Sequence, residues 1–256
     1  MKKYLLLLLI TLAVLQKATA QTPVAYYPFT GNANDAAGTN NGIVNGATLT
    51  TDRFGNANSA YSFDGVDDAI SFAGLPMTNT DNFTLMAWVN PALFDPANQF
   101  NKMIVSLGPG ENGYNMGMGN NSGFGGGNQL GGLYNLVSWL PSGAFFSTNN
   151  TWYHVAMVRE NGITKFYLNG VLAPNTFNAG PKAFVTAFQI GGQDFDPTHY
   201  WNGKIDEVKI YNEGLTALQV QQEYASSSQL QKPGSGNAIS FDGFDDGVEV
   251  TNSATL

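Results

Sequence analysis

Two aspartates near opposite ends of the chain are the first candidates for metal ligands. Asp35 lies in a turn-rich loop whose amides and carbonyls, including the carbonyls around Gly38 and Gly46, supply further oxygen atoms. Asp206 lies in a strand-like segment whose apolar neighbours should face a core. Calcium prefers about six to eight such oxygen ligands, so one ion held by these residues would tie the first strand to the last. The alternative is that Asp35 caps its loop through Asx turns.

A second group of acids, Asp64, Asp67 and Asp68, lies within residues 60–72. Apolar residues alternate up to Phe63 and resume after the acids, which predicts two short strands joined by a tight acidic turn. The three carboxylates offer a second cation site. The alternative is that aspartate is present as a good turn former, since Asp-Gly is a common hairpin signal.

His199 lies in a loop that also contains Asp194, Asp196, Tyr200 and Trp201. Acids and aromatic rings together can hydrogen-bond to a sugar and stack on it. The candidate ligand-binding residues are therefore Asp194, Asp196, His199 and Tyr200. The competing interpretation is that Trp201 packs under the last strand and the remainder is solvated. Because recognition residues concentrate on loops of a rigid scaffold, residues 108–132 and 194–201 are the candidate binding loops.

No set of residues predicts catalysis. Retaining glycosidases need two carboxylates about 5–5.5 Å apart, and no predicted strand carries acids at alternating positions. Asp206 and Glu207 are adjacent, so in a regular strand they would point to opposite faces. His154 lies in mid-strand and is expected to be a packed structural residue. We therefore expect no catalytic residues and no enzyme.

The first 20 residues have the features of a signal peptide. Lys2 and Lys3 precede an apolar run of about a dozen residues, and Ala18-Thr19-Ala20 is a small-residue cleavage site. The run is shorter than the roughly 20 residues that span a bilayer, although an uncleaved anchor is the alternative. We expect a secreted or cell-surface protein with no membrane contact after cleavage.

The composition limits the partners. The formal net charge is −8, and the chain contains no cysteine. An acidic surface repels nucleic acid, and the absence of cysteine excludes disulfides and thiolate metal sites. The expected partner is carbohydrate or an extracellular protein, with calcium as a structural cofactor.

The strand pattern predicts an all-β fold. Asn161-Gly162 and Asn169-Gly170 are hairpin signals around one strand, which gives a meander of three antiparallel strands. Residues 108–132 are predicted as loops around one short strand. Thr216 and Gln219 form a capping box for a helix from about Ala217 to Tyr224. Short strands with one late helix favour two antiparallel sheets packed face to face, with a closed barrel as the alternative.

The sequence divides into one long domain and a short C-terminal tail that repeats part of it. After the signal peptide we expect one domain over residues 21–226, a flexible Pro-Gly-Ser linker over 227–236, and the truncated start of a second repeat over 237–256. That repeat copies Ser62-Phe63-Asp64-Gly65 as Ser240-Phe241-Asp242-Gly243. About 20 residues are too few to build a core.

Six segments of the chain resemble, in the same order, a laminin-G-like jelly-roll domain of the concanavalin A-like lectin/glucanase superfamily from secreted bacterial proteins. The segments are AYYPFTGNAND (25–35), SFDGVDD (62–68), FTLMAWV (83–89), WYHVA (152–156), FYLNG (166–170) and GKIDEVKIYN (203–212). The resemblance covers about residues 24–224. The second copy departs from the family pattern because it stops just after its motif.

The resemblance implies a two-sheet antiparallel jelly-roll sandwich and a calcium site to which Asp35 and Asp206 contribute. We expect a non-catalytic, exported, calcium-stabilised module that binds carbohydrate or another extracellular polymer. A structural or adhesin-like spacer domain is the alternative, and a glycoside hydrolase is a further one. The family is functionally broad, so fold alone does not select among them.

Overall fold

The computed structural model describes residues 21–77, 81–94, 102–108, 113–119, 127–134, 137–178, 188–193 and 199–228. The predicted signal peptide, the linker from residue 229 onward and the second copy of the motif lie outside the described residues. In the part of the chain that is described, no helix is long and apolar enough to cross a membrane.

The described residues form 15 strands and one helix. In chain order these are β1 (Ala25–Tyr27), β2 (Ile43–Asn45), β3 (Thr48–Thr50), β4 (Ala60–Asp64), β5 (Ala69–Phe72), β6 (Phe83–Pro91), β7 (Lys102–Leu107), β8 (Tyr114–Gly119), β9 (Gln129–Tyr134), β10 (Val137–Phe145), β11 (Tyr153–Glu160), β12 (Ile163–Leu168), β13 (Val171–Asn178), β14 (Phe188–Ile190), β15 (Asn202–Tyr211) and α1 (Ala217–Ser228).

The strands belong to two separate sheets. The eight-stranded sheet has the order β13-β12-β11-β6-β15-β4-β3, with β1 also paired to β15. The seven-stranded sheet has the order β10-β9-β8-β7-β14-β5-β2. Every strand pairing among the described residues is antiparallel. The predicted two-sheet antiparallel sandwich with one C-terminal helix is confirmed, and the closed barrel is not formed.

An aromatic cluster joins the two sheets. Phe72 of β5 and Phe188 of β14 are cross-strand partners whose rings stack with centroids 4.1 Å apart. Tyr27 of β1, in the opposite sheet, approaches these rings at 4.8 and 6.0 Å. All three belong to the main hydrophobic core. Such contacts add about 0.5–1.5 kcal/mol each beyond the burial of apolar area, so they fix which face of each strand is inside.

The two Asn-Gly turns form the predicted meander. Strands β11, β12 and β13 pair in sequence order. Asn161 and Gly162 have φ values of 48° and 83°, and Asn169 and Gly170 have values of 51° and 76°. Two consecutive residues at positive φ define the tight hairpin turn that Asn-Gly favours.

The acidic turn of residues 64–68 connects the sheets rather than forming a hairpin. Both predicted strands exist, but β4 lies in the eight-stranded sheet and β5 in the seven-stranded sheet. Phe63 and Ile70 therefore enter the same core from opposite sheets. The Asp-Gly signal correctly indicated a turn, while the pairing of the flanking strands is determined by the core.

Helix α1 begins as predicted and extends further. Thr216 N donates to Gln219 Oε1 at 2.8 Å, and Gln219 N donates to Thr216 Oγ1 at 3.3 Å, which is the reciprocal capping box. The helix continues past Tyr224 to Ser228. The Ser227 hydroxyl accepts from Trp88 Nε1 at 3.0 Å, so this contact with β6 holds the extra turn that the sequence placed at the start of the linker.

Residues 108–132 contain more regular structure than predicted. Strand β8 and the first four residues of β9 lie in this stretch and pair with each other. Two glycines in each strand, Gly117 and Gly119 in β8 and Gly131 and Gly132 in β9, hid their strand character in the sequence. Residues 109–112 and 120–126 of the predicted loops lie outside the described residues.

Gly191 provides a stability test of the inter-sheet packing. It has φ of +81°, and a Cβ there would overlap the Phe63 ring, whereas Gly31 has φ of +78° and no atom within 4 Å of such a Cβ. We expect Gly31→Ala to cost about 1–2 kcal/mol from φ alone. Gly191→Ala should cost a further 1–3 kcal/mol, roughly, from overpacking. Urea unfolding of both variants measures the difference; equal losses would contradict the close packing.

Candidate functional site

A row of polar side chains crosses the outer face of the seven-stranded sheet. Gln189 pairs with Ser71 on one side and Ser106 on the other, and Ser106 pairs with Asn115. Their chain neighbours enter the core, and because side chains alternate along a strand, these four point away from the other sheet. We call Ser71, Gln189, Ser106 and Asn115 the polar row.

The polar row passes from solvent into a covered region. Ile43, next to Ser71 at the sheet edge, is 62% exposed, and Ser71 and Gln189 are partly exposed. Ser106 is 1% exposed and Asn115 is fully buried. This gradient gives the row an accessible end at β5 and β14 and a buried end at β7 and β8.

Several polar atoms on this face have no hydrogen-bond partner among the described residues. They include Ser106 Oγ and Gln189 Oε1 in the row, together with Gln129 Oε1 on β9. Gln129 lies opposite Gly119, four residue pairs along from the partners Asn115 and Leu133, and because this number is even it shares the outer face. A buried polar group without a partner costs about 1–3 kcal/mol, and in native proteins such groups are rare. This concentration on one sheet face is what a site for a polar ligand requires.

An apolar cluster adjoins the buried end of the row. Met103, Leu133 and Trp139 pack together on the outer face, apart from the main core. A Cβ on Gly131 would lie 2.7 Å from Trp139 Cζ2, so the absence of a side chain there lets the indole lie against the sheet. Trp139 Nε1 is buried and has no hydrogen-bond partner. The face thus combines amides and a hydroxyl with an aromatic ring that carries a free donor.

The acidic turn brings three carboxylates together. One oxygen each from Asp64, Asp67 and Asp68 lie within 4.8 Å of one another. Asp68 is buried and accepts a hydrogen bond from Asp64 N at 2.8 Å, while the other two acids are exposed. Burial raises the pKa of Asp68, and the charges of Asp64 and Asp67 add to the increase, opposed by that hydrogen bond.

The predicted calcium ligands Asp35 and Gly38 lie in one loop. Asp35 Oδ1 accepts hydrogen bonds from Tyr26 N and Ala37 N, both at 3.0 Å. A Cβ on Gly38 would lie 2.7 Å from Asp35 Oδ2. The carboxylate thus performs the loop-capping role that was the alternative to metal binding, and it links the loop to β1.

The other two predicted ligands lie in different surroundings. Gly46 lies against Asp68 of the acidic turn. Asp206 Oδ2 lies 2.8 Å from Arg53 Nη1. A guanidinium at that distance repels a divalent cation. The calcium site formed by Asp35, Gly38, Gly46 and Asp206 stays a prediction.

Arg53 is the centre of a buried ionic cluster beneath α1. Its Nη2 lies 3.0 Å from Glu207 Oε1 and donates to the Ser227 carbonyl at 2.7 Å, and its guanidinium lies 4.5 Å from the Trp88 ring centroid. Asp206 and Glu207 both contact Arg53, contrary to the expectation that they point to opposite faces. The reason is a register irregularity in β15, where Glu207 has φ of 45°.

Of the predicted sugar-binding loop, Asp194 and Asp196 lie outside the described residues. His199 is buried, and its carbonyl accepts a hydrogen bond from Met103 N at 3.0 Å. Tyr200 is partly exposed and lies against Gly192. Trp201 is fully buried in the core, as the competing interpretation expected.

His154 is a packed structural residue. It is buried, with Trp88 and Tyr224 at ring-centroid distances of 5.4 and 5.8 Å. Burial lowers the pKa of His154 to about 3, and the positive charges of Lys209 and Arg53 act in the same direction. The side chain is therefore neutral at ordinary pH, and it packs against Tyr224 of α1.

Sequence reasoning missed the polar row. Ser106 lies between Val105 and Leu107, and Gln189 between Phe188 and Ile190, so each was visible only as a polar position in a short strand. The available signal was a single polar residue flanked by apolar ones. It becomes a site only once the register aligns these strands, and register is a tertiary property.

The sequence profile of the concanavalin A-like lectin/glucanases superfamily, laminin-G type, matches residues 64–221. The chain belongs to this superfamily. The predicted laminin-G-like jelly roll is thereby confirmed. Comparison with curated proteins gives no match.

Solved structures share the superfamily fold at low identity. Domain 4 of AbnA, a GH43 extracellular arabinanase from Geobacillus stearothermophilus, solved in complex with arabinotriose, has a TM-score of 0.61 and 21% identity; the match covers 78% of this chain and 97% of that one. Trypanosoma rangeli sialidase in complex with sialic acid has a TM-score of 0.60 and 14% identity, with 82% and 33% covered. The binding domain of botulinum neurotoxin serotype D has a TM-score of 0.60 and 14% identity, with 81% and 51% covered.

The coverage differs among these matches. The chain spans nearly the whole arabinanase domain, about half of the neurotoxin binding domain and a third of the sialidase. At these identities the similarity establishes the jelly-roll fold of the superfamily and nothing finer.

The Arg53 cluster makes stability depend on pH. Burial raises the pKa of Asp206 to about 8, Glu207 adds to the increase, and Arg53 opposes it. The folded state therefore holds the proton of Asp206 more tightly than the unfolded state does. The resulting contribution to folding stability is fully present below pH 3.8, the ordinary pKa, and is lost as the pH rises toward 8. We expect Asp206→Asn to flatten this decline by up to about 1.4 kcal/mol per pH unit.

Urea unfolding across this pH range measures the effect. Glu213→Gln, which removes an exposed acid outside both the Arg53 cluster and the acidic turn, is the control. A wild-type slope that persists in Asp206→Asn would contradict the assignment.

Proposed function

We propose that this protein is a non-catalytic, exported binding module that recognises carbohydrate through the polar row of its seven-stranded sheet. The observation that carries the proposal is the set of buried, unpartnered polar atoms on one sheet face, including Ser106 Oγ and Gln189 Oε1. The cost of burying such atoms is recovered when a ligand supplies matching donors and acceptors.

Sugars have the matching chemistry. Each sugar hydroxyl is both a donor and an acceptor, so it can donate to the Gln189 amide oxygen and exchange hydrogen bonds with the Ser106 hydroxyl. Trp139 adds an indole N–H donor beside the row. A few placed polar groups next to an aromatic side chain are typical of small-ligand sites.

The distribution of acids supports a non-catalytic role. The described strands of the seven-stranded sheet contain no Asp or Glu. A glycosidase of the common type needs two carboxylates flanking the scissile bond. Asp206 and Glu207 are paired with Arg53 beneath α1, on the other sheet. An activity screen on polysaccharides tests this part of the proposal.

The structural neighbours agree with a carbohydrate ligand. The arabinanase domain whose length this chain nearly spans was solved with arabinotriose, and the sialidase with sialic acid. Export rests on the signal-peptide pattern of residues 1–20. A spacer or protein-interaction role is the second candidate, favoured by the repeated motif Ser240-Phe241-Asp242-Gly243.

Calcium stabilisation is part of the proposal, with its site at the acidic turn. Three carboxylates within 4.8 Å supply half of a typical ligand set. We expect millimolar calcium to raise the Tm of the purified protein, and Asp67→Asn to reduce that rise while Asp81→Asn, an exposed acid elsewhere, leaves it unchanged. Thermal unfolding with calcium and with chelator measures this. An identical Tm in both conditions would contradict it.

The binding proposal makes Ser106→Ala the most informative variant. The change removes a buried hydroxyl that has no protein partner, so the free energy of unfolding should stay the same or rise. The affinity for a bound glycan should fall about 3- to 10-fold, which corresponds to one hydrogen bond. Glycan-array binding followed by titration calorimetry on the hits measures the affinity, and urea unfolding measures the stability.

Ser62→Ala is the matched control, because Ser62 lies on the outward side of β4 in the opposite sheet. It should leave glycan affinity unchanged. Equal affinity in wild type and Ser106→Ala would show that the ligand binds elsewhere. The absence of any glycan binding by the folded protein would favour the spacer role.

A further inference from the structure

Charged residues are distributed unequally between the two sheets. Among the described strands of the seven-stranded sheet, Lys102 alone is charged. The strands of the eight-stranded sheet carry Asp64, Arg159, Glu160, Lys165, Lys204, Asp206, Glu207 and Lys209. The sheet that holds the candidate site is therefore almost free of ionic side chains.

Lys102 is not part of the polar row. It begins β7 opposite Met118, whose side chain lies in the main core, whereas Met103 lies with Trp139 on the outer face. Among the described strand positions of the outer face, the hydrogen-bonding groups are hydroxyls, carboxamides and the Trp139 indole. All of these are neutral.

A neutral face discriminates against charged sugars. A carboxylate carried into a covered site needs an opposite charge, and one left unpaired there costs several kcal/mol. An uncharged sugar is satisfied by hydroxyls and amides alone. The net charge of −8 adds long-range repulsion of anions, which salt screens.

We propose that the polar row selects uncharged oligosaccharides and rejects sugars that carry a carboxylate. This inference rests on the proposed function and specifies its ligand class. It separates this protein from a binder of acidic sugars, since recognition of a carboxylate by a cationic side chain, most strongly by a bidentate arginine, requires a charge that the described strands of this face do not supply.

Matched glycan pairs test the selection. The probes are arabinotriose, lactose with sialyllactose, xylotriose with glucuronosyl-xylotriose, and trigalacturonate with its methyl ester. For every pair in which the neutral member binds, we expect its charged counterpart to bind at least about tenfold more weakly. The difference should persist at high salt, where long-range repulsion is screened, because the missing counter-charge is local.

A variant that gains binding of charged sugars cannot be explained by a loss of folding, so it tests the proposal independently. Ser71 lies at the partly exposed end of the row, and its hydroxyl accepts from Asn45 Nδ2 at 2.9 Å. Ser71→Arg places a guanidinium there and should improve binding of the charged member of a pair relative to the neutral one, about tenfold or more. Ser71→Gln loses the same hydrogen bond without adding charge and should preserve the wild-type preference.

The outcomes distinguish the two proposals. If arabinotriose does not bind and no member of any pair binds, the carbohydrate function itself is contradicted. If both members bind equally and Ser106→Ala weakens both, the site is correct and the charge selection is overturned. Weaker binding of charged members, reversed by Ser71→Arg and not by Ser71→Gln, supports the selection.

Discussion

The packing of Phe72 and Phe188 against Tyr27 is the constraint on which the rest of the structure depends. The rings are stacked within one sheet and contact the other, so β5 and β14 have a fixed inner face. A shift of one residue in either strand would exchange inner and outer side chains. The outward positions of Ser71 and Gln189 are therefore a direct consequence of the aromatic core, and the polar row is as well defined as that core.

The eight-stranded sheet has a different role. Its central strand β15 carries Asp206 and Glu207, which a local irregularity turns toward Arg53, and Arg53 also binds the last turn of α1. In a chain without cysteine this buried ionic cluster ties together three distant segments. Most of the charged strand residues therefore lie on one sheet, while the described strands of the other sheet carry Lys102 as their single charged residue.

The sequence predicts the fold well because its signals are local. The Asn-Gly turns, the Thr216–Gln219 capping box and the alternation around Phe63 each specify their own structure, and the family resemblance arranges them. The site is less predictable because it depends on register: Ser106 and Gln189 are 83 positions apart and become neighbours only through strand pairing. The β15 irregularity and the contact of Arg53 with Asp206 have no sequence signature either.

The most direct test of the central claim is NMR of the backbone amides and the side-chain N–H groups of the folded protein during titration with a neutral oligosaccharide that it binds. The account predicts that the side-chain amides of Gln189 and Gln129 and the indole N–H of Trp139 shift together in a saturable way, while exposed Gln222 on α1 does not. Shifts confined to residues 199–201 or to the acidic turn, with Gln189 and Trp139 unchanged, would contradict binding at the sheet face.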